Sequence, residues 1–234
     1  MKHILLTLLI LLISTVSYAK TTTISVTKDA YLESRDATWS GARDASESDL
    51  VTGITVDAII KATYDSQPSP ADLFNCYRII MSFDTSSLPD DVIIQSAKIR
   101  LRPTSVNINH DGPDYVTIVS ASPASSTSFV VADFDDVGST KFITDVDSSS
   151  LVEDEYNDFP LNDSGINYIN KEGYTIFAVR IGNDYDNVTP TEGVNNITFY
   201  SGNGAFSSRY PLLEITYRTP REVGSGSIGN GSFN

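Results

Sequence analysis

Along most of the chain apolar and polar residues alternate with a period of two, and no long stretch carries the period of 3.6 that an amphipathic helix requires. In "TISVTKDAYL" Ile24 and Val26 alternate with polar neighbours, and a turn is expected at Lys28–Asp29. Between Phe74 and Phe83 the alternation puts Tyr77, Ile79, Met81 and Phe83 on one face. Cys76, Arg78, Ile80 and Ser82 fall on the other, which predicts a strand covered on both sides. "VIIQSAKIRLR" sends Ile94, Ser96, Lys98, Arg100 and Arg102 one way and Ile93, Ala97, Ile99 and Leu101 the other, with Gln95 breaking the apolar row. "DYVTIVSA", "YTIFAVRI", "NNITFYS" and "PLLEITYR" read as further strands, rich in the β-branched and aromatic residues that suit a pleated surface.

Between the two best-patterned strands lies "FDTSSLPDD". Asp84 and the serines can hydrogen-bond nearby main-chain amides and stop the ladder. Pro89 removes a donor, and Asp90–Asp91 keeps the turn in water. One short helix is predicted in "NDSGINYINKEG", capped by Asp163 or Ser164, with Ile166 and Ile169 on one side and Gly173 as its end. The pattern as a whole predicts an all-β protein, a single antiparallel sandwich.

The chain opens "MKHILLTLLILLISTVSYAK", a Lys2 start, an aliphatic run and a small-x-small site at Ser17–Tyr18–Ala19. That is the layout of a signal peptide over residues 1–19, with cleavage after Ala19 and an exported or cell-surface product. The apolar run falls short of the roughly 20 residues a membrane span needs, so no span is expected in the mature chain. Residues 20–218 form the domain, and the Gly/Ser/Asn-rich residues 219–234 read as a tail. Net charge is −14, one unit more negative once Lys2 is lost. Such a surface repels nucleic acid and anionic lipid. Cys76 is the only cysteine, so no internal disulfide supports the fold.

At "YRIIMSFDTSSLPDDVIIQSAKIRL" the sequence resembles the DNRLRE-type domains, extracellular jelly-roll sandwiches related to carbohydrate-binding module family 96. "SRDATWSGARDA", "ADFDDVGSTKF", "YNDFPLNDSGINYINKEGYTIFAVR" and "ITFYSGNGAFSSRYPLLEITY" resemble successive blocks of such domains in order, over residues 24 to 218. The resemblance implies a jelly-roll-like sandwich. It also implies a glycan-binding or adhesive role, since some members accompany polysaccharide-degrading enzymes while others sit in surface or phage-associated proteins. Within residues 1–234 no enzyme domain is expected beside this one, a departure from that setting. A structural subunit of a surface layer, filament or virion, built by self-assembly, is the alternative.

The chemistry legible in the residues is sparse. Without the leader His110 is the only histidine, and no nucleophile elbow, zinc motif or paired-cysteine motif occurs. The reading is therefore non-catalytic. Trp39, the only tryptophan, lies in a polar stretch with Arg43. It can stack on a sugar ring there, with Tyr185 as a second platform, or it can cap the core beneath a long loop. Two loops carry the alternating Asp and Asn oxygens that Ca²⁺ favours: one with Asp111 and Asp114, the other with Asn183, Asp184 and Asp186. Calcium is the one cofactor considered, and a polysaccharide or cell-surface glycan is the partner.

Overall fold

In the computed structural model the described residues are 18–53, 57–65, 73–109, 112–191, 193, 195–204 and 207–220. The chain is a β-sandwich of two antiparallel sheets with a few short helices. In the smaller sheet β1 (Lys20–Ser25) pairs with β14 (Leu212–Arg218), then come β6 (Ile93–Leu101) and β11 (Asn157–Pro160). The larger sheet is organised around β5 (Leu73–Asp84). Along one side of β5 lies β2 (Lys28–Asp36), in register from Lys28 opposite Ser82 to Asp36 opposite Phe74. Its other side is shared: β12 (Tyr174–Ile181) takes the half from Ile79 to Asp84, and β4 (Asp57–Asp65) the half from Leu73 to Tyr77.

Outside these, β8 (Tyr115–Ala121) follows β12 and is flanked by β9 (Val137–Lys141) and β10 (Val146–Asp147). Beyond β4 come β13 (Asn196–Tyr200) and β7 (Pro103–Asn107), while β3 (Leu50–Thr52) adds to β2. The helices are α1 (Trp39–Arg43), α2 (Asp163–Tyr168) and α3 (Gly182–Asp186).

Burial on both faces of β5 follows from its neighbours. Ile79, Met81 and Phe83 share a face with Phe177 and Val179 of β12, and Phe83, Phe142 and Tyr168 pack around the Phe177 ring at centroid distances of 5.8–6.1 Å. Cys76, Arg78 and Ile80 share the opposite face with Arg180, and α1, α3 and the turn Val131–Phe134 cover it. The turn expected at Lys28–Asp29 falls two residues earlier, at Val26–Thr27, where the chain passes from the small sheet into the large one. Asp29 is buried instead. Its carboxylate accepts from Ser201 Oγ, Gly202 N and Asn203 Nδ2, which clasps this corner to the loop between β13 and β14.

The hinge closes much as its residues dictate: Asp84 Oδ1 accepts from Ser86 N and Oγ, and Leu88 turns into the core. Helix α2 forms, but its cap is Asn162, whose Oδ1 accepts from Gly165 N at 3.0 Å. It ends at Tyr168, short of Gly173.

Candidate functional site

Alternation in β6 places Ser96, Lys98 and Arg100 on the face of the small sheet that no other described element covers, with Ala97, Ile99 and Leu101 buried behind them. Register supplies the counter-charges. Glu214 of β14 lies opposite Lys98 on one side, and Asp158 of β11 lies opposite Arg100 on the other. Lys98 Nζ reaches Asp158 Oδ2 at 2.8 Å and Glu214 Oε1 at 3.1 Å, while Arg100 Nε donates to Asp158 Oδ1 at 2.8 Å. Asp158 holds the Lys98 ammonium above its ordinary value, against a smaller opposing effect of burial. For Asp158 burial alone would raise the carboxyl, but the bonds from Lys98 and Arg100 outweigh it and hold it low. The four side chains thus form a fixed grid of donors and acceptors, each still about a third exposed. A depression of about 190 Å³ lined by Ser96, Lys98, Pro160, Glu214 and Thr216 lies within it.

Where β6 continues into β7 the grid gains aromatic rings. The Arg100 guanidinium lies 5.1 Å from the Tyr156 ring centre. The Tyr156 hydroxyl is held by the carbonyls of Ser208 and Tyr210. Tyr200 lies between Arg102 at 5.7 Å and Arg209 at 4.8 Å. Its hydroxyl accepts from Arg209 Nη1 and donates to Asp154 Oδ1. Asp154 adopts the left-handed region, φ 59°, a conformation Asp tolerates better than most residues. Half-buried tyrosines braced by cations, beside charged pairs with fixed geometry, can stack on a pyranose ring and bond its hydroxyls.

The residues singled out in the sequence lie elsewhere, and most have structural duties. Trp39 opens α1, whose cap is Thr38. It is 5 % exposed and packs on Phe74, so the expected stacking platform is not formed. Arg43 donates from Nε to the Asp184 carbonyl and accepts from Arg78 at its own carbonyl, so it ties α1 to α3. Tyr185 is half-buried, its hydroxyl bonded to the Ser139 carbonyl and its ring 4.3 Å from Lys141 Nζ. The same ammonium sits 4.6 Å from the Tyr115 ring and bonds Asp145.

The two loops considered for calcium do meet. A side chain on Gly182 would start 2.0 Å from the Pro113 carbonyl oxygen, and one on Gly112 2.6 Å from Asn183 Nδ2, so only glycine permits the approach. Among the described residues their carboxylates do not form a cage. Asp184 is fully buried and turned inward, held in pairwise bonds of 2.7–3.0 Å by Arg78 and Arg180. Burial alone would raise its carboxyl, yet the two guanidinium charges overcome that and hold it far below the usual range. Asn183 is buried as well. Asp186 is exposed and, after burial, is the second cause that pushes the Tyr115 phenol up to about 12. Asp114 accepts from Ser148 N at its carbonyl. Asp111 and His110 lie outside the described residues. Among the described residues no group of three or more His, Cys, Asp or Glu is placed to hold a metal ion. Of the expected loop ligands Asp184 is corrected: it turns inward as the counter-ion of a buried arginine pair.

Sequence reasoning missed Tyr156, Tyr200, Asp154 and Asp158. The polar row Ser96, Lys98, Arg100, Arg102 was visible, but the residues answering it come from distant strands whose pairing no local pattern encodes. No family model matches the chain, and no curated protein matches it either. The resemblance to DNRLRE-type domains is carried by the quoted segments alone.

Proposed function

We propose that the chain is an exported, non-catalytic module that binds glycans through the polar face of its small sheet. The observation that carries this reading is the grid of Lys98, Arg100, Asp158 and Glu214 running into cation-braced Tyr156 and Tyr200 on a strand surface that no other described element covers. Sugar recognition needs these two elements side by side: a ring face for the apolar side of a pyranose, and rigid charged groups for its hydroxyls. Three considerations support the non-catalytic part. The carboxylates of the face are paired to cations, and the Cys76 thiol is buried and pushed upward by burial first and by Asp184 second. The sequence also offers no nucleophile motif. The resemblance to carbohydrate-binding sandwiches and the leader expected over residues 1–19 point the same way.

The test is native affinity electrophoresis through gels carrying a panel of neutral and charged polysaccharides. At least one polysaccharide should retard the protein. Arg100→Ala and Glu214→Ala should each cut that retardation several-fold while leaving the far-UV circular dichroism unchanged. Free mobility in every gel, or retardation indifferent to both substitutions, would remove this face from consideration.

A further inference from the structure

The edges of the two sheets are unequally protected. In the large sheet β10 is only two residues long and β3 three. On β7 the outward Val106 N–H is capped by Glu153 and the Pro103 carbonyl by Asp154 N. On β9 the Ser139 carbonyl takes the Tyr185 hydroxyl. In the small sheet β11 is short and ends in Pro160. Short strands, proline and capped groups are the usual means by which a sheet edge is kept from pairing with another chain. Among the described residues the remaining edge is β1, "KTTTIS", which is neither short nor capped nor interrupted by proline, and whose one charge, Lys20, sits at its end.

The ladder shows which of its groups face outward. Val26 N donates to the Pro211 carbonyl, one step beyond Ser25 opposite Leu212. Hydrogen-bonded positions alternate in an antiparallel pair, so Lys20, Thr22 and Ile24 point their main-chain groups at β14. Thr21, Thr23 and Ser25 point theirs away, and these three residues are exposed.

We propose that β1 pairs antiparallel with β1 of a second copy of this chain, about a two-fold axis through Thr23. That register sets Thr23 against Thr23 of the partner copy and Thr21 against its Ser25, exchanging about six main-chain hydrogen bonds. On the other face Thr22 meets Ile24, and Lys20 meets Val26. No like charges meet across the seam. The outward donors and acceptors of Thr21, Thr23 and Ser25 match those of an identical strand about that axis, with threonine opposite threonine, which is what selects a second copy as the occupant. The product is an isologous dimer in which the two four-stranded sheets become one. The inference is independent of the glycan reading.

Sedimentation velocity over a hundredfold concentration range tests it, on the full chain with its N-terminus read by intact mass. A concentration-dependent dimer is expected. Thr23→Lys puts two ammonium groups face to face on the axis and should give a monomer. Thr23→Pro removes only outward donors, leaves the β1–β14 ladder intact and should also give a monomer. Thr216→Lys, on the neighbouring strand, should leave the dimer in place. Melting temperatures close to that of the unsubstituted chain show that the variants fold. A monomer at every concentration would overturn the proposal, as would a dimer that survives both Thr23 substitutions.

Discussion

Asp184 answers Arg78 and Arg180 at once, and Arg43 donates to its carbonyl. None of the two guanidiniums' bonds to the carboxylate reaches water, so deleting the acid strands buried positive charge. Asp184→Asn should therefore cost about 3–5 kcal/mol, the range for breaking a buried pair from one side. In a domain of this size that is a fall in Tm of roughly 10 °C, readable by calorimetry. The pH dependence has a definite sign. The folded carboxyl is depressed, so its stabilisation is complete above the ordinary value of 3.8 and is lost only as pH falls through the depressed one. Acid unfolding of the unsubstituted chain should therefore include a step that Asp184→Asn lacks. A variant that melts with the parent would show Arg78 to be satisfied by the carbonyls of Phe134 and Arg43, and Arg180 by that of residue 184.

At the scale of elements, the periods that were easy to read were those of strands with one repeating pattern. β5, β8, β12, β13 and β14 appear where alternation places them. Gln95, which broke the apolar row of β6, marks a bulge: Thr216 pairs with Ser96 and Tyr217 with Ile94, so Gln95 is passed over. Ile93 consequently faces outward, against the pattern. β4 escaped notice because Ile59 and Ile60 are adjacent and its buried row is Ala58, Ile60 and Ala62, too small to announce a face. Of the candidate site, one row was legible and its counter-charges were not, because strands 58 to 116 residues away supply them. The α2 cap is a sharper case. Asp163 and Ser164 both look suitable, yet Asn162 makes the bond. Asn162→Ala should cost about 1 kcal/mol, seen as a lower urea midpoint at unchanged m-value. Asp163→Ala should stay within about 0.5 kcal/mol, as surface substitutions do. The reverse order would move the cap to the residue the sequence suggested.

For the whole molecule, two continuous stretches of chain hold the sheets to one another by passing from a strand of one straight into a strand of the other. β1 runs through Val26–Thr27 into β2, and β6 runs through Arg102 into β7. The Asp29 clasp adds a third tie, between the first corner and the last loop. A sandwich joined in this way should open as one unit. Cys76 lies in the middle of β5, with neighbouring strands on both sides and its thiol fully buried. An alkylating reagent cannot reach that sulfur through a local fluctuation, so its rate of labelling becomes a stopwatch for complete opening. Labelling under native conditions should be slower than that of the urea-unfolded chain by about the unfolding equilibrium constant. Asp184→Asn should speed it a hundredfold or more, by the conversion of 1.4 kcal/mol per decade. Equal labelling of native and unfolded protein would mean that the strands around Cys76 open locally. With one cysteine in the chain, stability can be timed in a crude extract, without purification and without any knowledge of the ligand.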